Sequence, residues 1–257
     1  MKRLILFAIA FLFISASIFH SVFAEETAHS WYVTRNKDHK QPTADPAFLE
    51  MDREGVYYVD EHPLAAKGEK VAYLTFDAGY ENGNVEKIVN ILEEEQVPGA
   101  FFVLTHFIKK NPELCRRMHT AGHLLCNHSD RHKDMSKMTK DEFARELCAV
   151  EEACLQTTGT PIGKYFRPPE GRYSENTLRL ARELGYKTVF WSFAYADWDN
   201  EAQPPKEASL KKIMDNIHPG MILLLHPTSE TNVKLLGELI REMKAEGYRF
   251  ASLEELD

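Results

Sequence analysis

The sequence has few cysteines, no excess of positive charge and, beyond its first 24 residues, no long apolar run. Its four cysteines form no CxxC pair or disulfide framework, which excludes a small disulfide-held domain. Cys115 and Cys126 can pair only if the fold brings them together, and buried free thiols are the alternative. Lys and Arg number 31 against 39 Asp and Glu, giving a net charge of −8. This acidic balance argues against nucleic acid as a partner.

The first 24 residues have the pattern of a signal peptide. Lys2 and Arg3 precede an uncharged apolar run over 4–18, and a small residue, Ala24, stands before two glutamates. The pattern predicts export and cleavage after Ala24, with a retained membrane anchor as the alternative. Removal of these 24 of the 257 residues, which include two cations and no acids, takes the net charge from −8 to −10. No later segment is long and apolar enough to span a membrane.

From residue 70 onward, short apolar runs alternate with amphipathic stretches. A strand is predicted over 71–76, and helices are predicted over 85–95 and 139–157, the last opened by a capping-box pattern. About seven such units predict a parallel sheet with helices outside it. The segment is shorter than the roughly 250 residues of a complete eight-unit barrel. We therefore predict an α/β fold, an irregular or incomplete (β/α) barrel over 70–257, preceded by an irregular extension over 25–69.

Polar clusters follow five of the predicted strands. They occupy residues 75–82, 127–132, 166–173, 194–198 and 224–227. Each cluster alone is a weak signal. Because catalytic groups of parallel β/α barrels gather at the carboxyl ends of the strands, the five clusters are expected to converge on one site.

Within these clusters, several side chains suggest chemistry, and each has a plain structural alternative. His128 and His132 have the spacing that places two imidazoles on one face of a helical turn, either as metal ligands or as an ordinary surface pair. Asp77 ends an apolar strand, where it either pairs with a cation such as Arg167 for structural reasons or acts as a base. His226 follows three leucines and is either a general acid or a satisfied core histidine.

The five clusters resemble the motif series of the polysaccharide deacetylase family, the family 4 carbohydrate esterases with the NodB-homology fold. The family motifs read T-F-D-D-G, H-[ST]-x-x-H, R-P-P-x-G, D-x-x-D-W and L-x-H. The matching residues are 75–79, 128–132, 167–171, 194–198 and 224–226. The resemblance implies an enzyme that hydrolyses the amide bond of an N-acetylated sugar in a polysaccharide.

The resemblance also implies a role for each matching position. Asp77 would be the general base and His226 the general acid. Arg167 would orient Asp77 and lower its pKa, while Asp197 would hold His226. The substrate would be contacted by Trp198, Leu224, Tyr173 and the backbone N–H of Glu170, and a divalent metal, zinc or similar, by His128 and His132.

Two positions depart from the family pattern. Ala78 stands where the family has the second Asp of its metal site, and Ala194 replaces the first Asp of the fourth motif. Two histidines are fewer protein ligands than catalytic zinc sites usually have, so we expect weak metal binding. Glu81 or Glu170 would restore a third ligand if its side chain reached the two imidazoles.

The finer resemblance is to the members that deacetylate N-acetylmuramic acid in peptidoglycan of spore-forming bacteria. It rests on T-F-D-x-G-Y-E-N at 75–82 and on the segments 31–42 and 189–192. In those enzymes the freed amine closes to the muramic δ-lactam of spore cortex. We therefore expect a secreted monomer that acts on the peptidoglycan glycan strand in the cell wall or spore envelope. The alternatives are a deacetylase of N-acetylglucosamine (in peptidoglycan or chitin) or of acetylxylan, and a catalytically inactive wall-binding protein.

Overall fold

Apolar strands form a curled parallel sheet that carries the polar clusters at one edge. The computed structural model describes residues 27–61 and 69–256, so the predicted signal segment 1–24 lies outside the described residues. The strands are β1 (His29–Ser30), β2 (Val33–Thr34), β3 (Thr43–Ala44), β4 (Val56–Tyr57), β5 (Val71–Ala78), β6 (Ala100–Val103), β7 (Leu124–Asn127), β8 (Gly163–Phe166), β9 (Arg172–Tyr173), β10 (Lys187–Val189), β11 (Met221–Leu225) and β12 (Arg249–Phe250). The helices are α1 (Pro46–Leu49), α2 (Val85–Glu94), α3 (Thr105–Lys110), α4 (Pro112–Thr120), α5 (Lys140–Thr158), α6 (Glu175–Glu183), α7 (Lys206–Met214) and α8 (Glu230–Ala245).

Among the described residues, eight strands form the main sheet in the order β11-β5-β6-β7-β8-β10-β4, with β12 also beside β5. Every neighbouring pair is parallel. β6 and β11 are buried along their whole length, as expected where both faces of a parallel sheet are covered. A parallel bridge between Phe193 and Leu223 joins the chain after β10 to β11. The sheet therefore curls round on itself, which confirms the prediction of an irregular, incomplete barrel.

The helices form as local sequence signals predict. The hydroxyl of Thr139 accepts from the N3 backbone of α5, and Glu142 returns the bond to complete a capping box. Gly159 ends that helix in the left-handed conformation, at φ 76°. The apolar side chains of α2 are buried at Val85, Ile88, Val89 and Leu92, against the sheet. The helices predicted over 85–95 and 139–157 are found at Val85–Glu94 and Lys140–Thr158, whereas α3 was missed.

The extension before the barrel is built into the fold. β1 pairs antiparallel with β9, and β4 lies beside β10 as a further parallel strand of the main sheet. Trp31 stacks on Phe190 with ring centroids 4.4 Å apart and meets Phe48 edge-on at 4.8 Å. The proposed division between extension and barrel stays a prediction.

All four cysteines are free thiols, so Cys115 and Cys126 do not pair. Three are buried, and burial raises the pKa of Cys115 to about 12. Cys148 lies exposed on α5, against the expectation of buried thiols. None of the helices in the described ranges is long and apolar enough to cross a membrane.

Candidate active site

The loops that follow β5, β7, β8, β10 and β11 surround a pocket of about 560 Å³ at the carboxyl edge of the sheet. The predicted site residues that line it are Asp77, His128, His132, Glu170, Trp198, Leu224 and His226. Arg167 and Asp197 are fully buried behind this lining. Five clusters that are far apart in sequence therefore converge because parallel strands bring their carboxyl ends to the same edge.

Asp77 and Arg167 form a buried ion pair at one wall of the pocket. Nη1 of Arg167 donates to Oδ1 of Asp77 at 2.8 Å, and Nη2 donates to Thr75 Oγ1 at 2.9 Å. Nε of Arg167 donates to the carbonyl of Val189 at 2.9 Å, and the guanidinium lies 4.1 Å from the centre of the Phe102 ring. A buried guanidinium needs this many partners because an unpaired charge is costly to desolvate. The network fixes the carboxylate in place.

The surroundings of Asp77 keep it ionised. Burial by itself would raise the pKa of this carboxyl, but the charge and hydrogen bond of Arg167, together with the charge of His226, outweigh it and hold the pKa below its ordinary value. Asp77 is therefore a carboxylate at neutral pH, in the form that accepts a proton.

His226, which is partly exposed to the pocket, and the buried Asp197 form a second pair. Nδ1 of His226 donates to Oδ1 of Asp197 at 2.7 Å, and the backbone N–H of His226 donates to Oδ2 at 2.8 Å. Nδ2 of Asn232 donates to the same Oδ2 at 2.6 Å, and Tyr195 donates its hydroxyl to Asn232. Burial by itself would lower the pKa of His226, but the hydrogen bond and charge of Asp197 outweigh it and raise the pKa. The imidazolium is thus stabilised, in the form that gives a proton.

His128 and His132 lie side by side, with ring centroids 4.9 Å apart. Nδ1 of His128 donates to the carbonyl of Arg167 at 2.8 Å, which leaves a lone pair on Nε2, 3.7 Å from Oδ2 of Asp77. Burial, opposed by the Asp77 charge, lowers the pKa of His128 to about 4, so the ring is neutral. The prediction of a helical turn here is wrong: the segment is a loop, and Ser129 and His132 have φ of 73° and 55°.

Hydrogen bonds that sequence reasoning missed hold this loop. Asn127 Oδ1 accepts the backbone N–H of Ser129 at 3.0 Å, and Ser129 Oγ accepts that of His132 at 3.0 Å. The buried carboxylate of Glu146, on α5, accepts the backbone N–H of Arg131 at 3.1 Å and its Nε at 3.0 Å. Neither Glu146 nor Asn232 lies in a motif, and the only available signal is a polar residue on the apolar face of a helix.

The described residues contain no group of three or more His, Cys, Asp or Glu side chains arranged to hold a metal ion. Ala78 is buried in the apolar core and offers no ligand atom. The hypothesis of a Glu81 ligand is wrong, because its Oε1 accepts the backbone N–H of Gly83 at 2.6 Å and the residue does not line the pocket. The neutral imidazole of His128, with its free Nε2, does fit a divalent cation, and His132 beside it supplies a second nitrogen donor.

The loop after β8 gives the pocket another wall. Glu170 lines the pocket with φ 56°, and Gly171 follows with φ 64°. The backbone N–H of Trp31 donates to the carbonyl of Gly171 at 2.9 Å, and its indole Nε1 donates to the carbonyl of Trp191, a pocket residue, at 2.9 Å. Tyr173 does not reach the pocket: it is fully buried against Trp31, so its predicted contact with substrate is wrong.

Comparisons with known proteins agree with this geometry. Residues 65–189 match the model of the family described as polysaccharide deacetylase. The peptidoglycan-N-acetylmuramic acid deacetylase PdaA of Bacillus subtilis is 38% identical over 88% of this chain and 85% of its own. Its structure, described as a family 4 carbohydrate esterase, superposes with a TM-score of 0.83 and 37% identity over 89% of this chain and 96% of that chain.

Two other relatives differ in what they do. A peptidoglycan-N-acetylglucosamine deacetylase of Bacillus cereus is 30% identical over 70% of this chain and 66% of its own. A mutant of a family 4 pseudoenzyme of Bacillus anthracis, with restored enzymatic activity, superposes with a TM-score of 0.70 and 27% identity over 78% of this chain and 70% of that chain. The motifs, the fold and these similarities lead to one conclusion: the chain belongs to the polysaccharide deacetylase family, the family 4 carbohydrate esterases, and is a hydrolase that acts on amide bonds.

Proposed function

We propose that the protein removes the N-acetyl group from N-acetylmuramic acid in peptidoglycan, and that the product goes on to muramic δ-lactam in spore cortex. The observation that carries the proposal is the pair Asp77 and His226. Both line one pocket, the pKa of the first is lowered and that of the second is raised. Two titratable groups driven apart in this way have the protonation states that a base and an acid need at neutral pH.

The reaction uses each residue in turn. Asp77 takes a proton from a water molecule as the water oxygen bonds to the acetyl carbon. The backbone N–H of Glu170 stabilises the resulting oxyanion. His226 then gives its proton to the nitrogen as the carbon–nitrogen bond breaks, which releases acetate and a free amine. Asp197 orients the imidazole throughout.

Family 4 carbohydrate esterases generally use a divalent metal. His128 and His132 would hold it here, and once bound it would polarise the acetamide carbonyl and make the bound water more acidic. We expect weak binding because the two imidazoles would be completed by water rather than by a carboxylate at Ala78.

The substrate assignment follows PdaA, a relative that is described as a peptidoglycan-N-acetylmuramic acid deacetylase. The proposal places the enzyme outside the cell, at the wall or spore envelope, where its glycan substrate lies. The chain is proposed to work as a monomer.

Peptidoglycan stripped of its peptides is the substrate that tests the proposal. The expected result is release of acetate together with de-N-acetylated muramic acid or its lactam, absent in Asp77→Asn. Acetate released with glucosamine in place of muramic acid would support the alternative function, deacetylation of N-acetylglucosamine, which is the described activity of the B. cereus relative. Retained glycan binding without acetate would support an inactive binding protein. Repeating the assay after chelation and metal addition measures whether activity depends on a cation.

A further inference from the structure

Two exposed aromatic rings stand at the mouth of the active-site pocket. The side chains of Tyr80 and Trp198 are 49% and 61% exposed, and both line the pocket. Single exposed apolar residues are common and need no explanation. Two of them lining the same pocket place exposed apolar surface at a candidate binding site.

The Tyr80 ring is held in place rather than free in solvent. Asn200 donates a hydrogen bond from Nδ2 to the hydroxyl of Tyr80. This hydrogen bond joins the loop after β5 to the loop that carries Trp198. Tyr80, Asn200 and Trp198 therefore form one rim of the pocket. The centre of the Trp198 ring lies 6.2 Å from that of His226. A ligand on this rim would therefore lie directly beside the acid–base pair.

The chemistry of the lining restricts the ligand. The pocket-lining residues that the structure describes include no Lys or Arg, and the carboxylates of Asp77 and Glu170 are among them. The His226 imidazolium is already paired with Asp197, so an anionic group would find no unpaired cation among these lining residues. A neutral pyranose ring fits better, because its apolar C–H face can pack on an aromatic ring while its hydroxyls stay in water.

The position of the two rings at the pocket indicates which sugar of the glycan chain they contact. A volume of about 560 Å³ is at the scale of one small-molecule ligand, here the sugar that loses its acetyl group. In a polysaccharide the neighbouring sugar would lie toward the exposed edge of the pocket, where Tyr80 and Trp198 stand. We propose that Tyr80, positioned by Asn200, forms with Trp198 a subsite for the neutral sugar next to the one that is deacetylated. The inference rests on the proposed function, since it takes a glycan chain as the substrate.

The test compares glycan fragments of increasing length, from a monosaccharide upward, as substrates and as ligands. In the wild type, KM is expected to fall once the second sugar is present. Tyr80→Ala should remove this gain, by ~10-fold in KM, while Tyr80→Phe keeps most of it because the ring remains. Tyr32→Ala is the matched control: Tyr32 is 51% exposed and its hydroxyl also bonds to a side chain, Asp45, but it does not line the pocket.

Binding measured by intrinsic fluorescence with the Asp77→Asn variant separates this inference from the proposed reaction. If the wild type never deacetylates muramic acid, the proposed function fails, yet the dependence of binding on fragment length still tests the subsite. An equal effect of Tyr80→Ala at every length, or the same change in Tyr32→Ala, would overturn the inference. Thermal unfolding of each variant shows that it is folded.

Discussion

Replacing Asp197 by Asn tests whether the alkaline limit of activity belongs to His226. The substitution keeps the shape of the side chain but removes the charge that His226 contacts through Nδ1 and its backbone N–H. An amide also places an N–H group where the carboxylate accepts bonds from His226 and Asn232. Because Asp197 is the group that raises the pKa of His226 against the effect of burial, the pKa should fall in the variant.

The size of the effect follows from the type of bond. A hydrogen bond to a charged group contributes about 1.5–3 kcal/mol. If the variant loses this stabilisation of the imidazolium, the ratio of protonated to neutral His226 falls roughly 10- to 150-fold at any given pH. The loss of kcat/KM should therefore grow with pH and reach that range on the alkaline side.

The assay is the pH profile of acetate release from about pH 5 to pH 9, read as kcat/KM. In the wild type, protonation of Asp77 sets the acidic limb and deprotonation of His226 sets the alkaline limb. In Asp197→Asn the alkaline limb should move to lower pH, while the acidic limb stays. Asp215→Asn is the control, since Asp215 pairs with Lys211 on the surface. A uniform drop at every pH, with both limbs in place, would refute the assignment of His226 as the acid.

Three further predictions concern stability. Since the pKa of His226 is raised on folding, its pair with Asp197 stabilises the fold fully below the ordinary histidine pKa and loses that effect as pH rises through the folded value. Urea unfolding should therefore show a larger loss in Asp197→Asn near pH 6 than near pH 9, and a loss independent of pH would contradict this. Trp31→Phe keeps the aromatic stack but loses the hydrogen bond to the Trp191 carbonyl. The free energy of unfolding in urea should therefore fall by about 1 kcal/mol, and KM should rise. An unchanged KM would contradict a role of Trp31 in the pocket wall. Gly171→Ala should lower Tm more than Gly159→Ala, because both positions have positive φ but only at 171 would a Cβ lie 2.8 Å from a Trp191 ring atom. An equal fall in Tm would mean that backbone strain alone accounts for both losses.

Much of the barrel could be predicted because each strand carries its own signal. The strand predicted over 71–76 is found as β5, which is buried along nearly its whole length and continues two residues further to Ala78. β4 was missed because two residues that pair by backbone bonds leave no periodic pattern. α3 was missed because only Leu104 separates it from the end of β6 at Val103. An apolar strand that leads almost directly into a helix carries no turn residue to mark the boundary.

The site residues also divide into those that the sequence could predict and those that it could not. The residues that face the pocket sit in motifs at strand ends, so their convergence follows from the parallel sheet. Tyr173 also sits in a motif, but alternation along β9 turns it inward to the aromatic core while Arg172 points outward. Glu146 and Asn232 act only by hydrogen bonds to loops distant in sequence, and such bonds exist only once the fold has formed.

The arrangement of charges also bears on whether the site is catalytic. When Asp77 accepts a proton from water, it stops contributing to the raised pKa of His226, and Asp197 is then the group that keeps the imidazolium available. When His226 gives up its proton, Arg167 still holds the pKa of Asp77 low. Each catalytic group thus has a buried partner that takes no proton itself. A protein that only bound glycan would bear the cost of desolvating the buried charges of Arg167 and Asp197 without use for them, since replacing buried ion pairs by apolar residues is often neutral or stabilising. The two pairs therefore argue for an active enzyme.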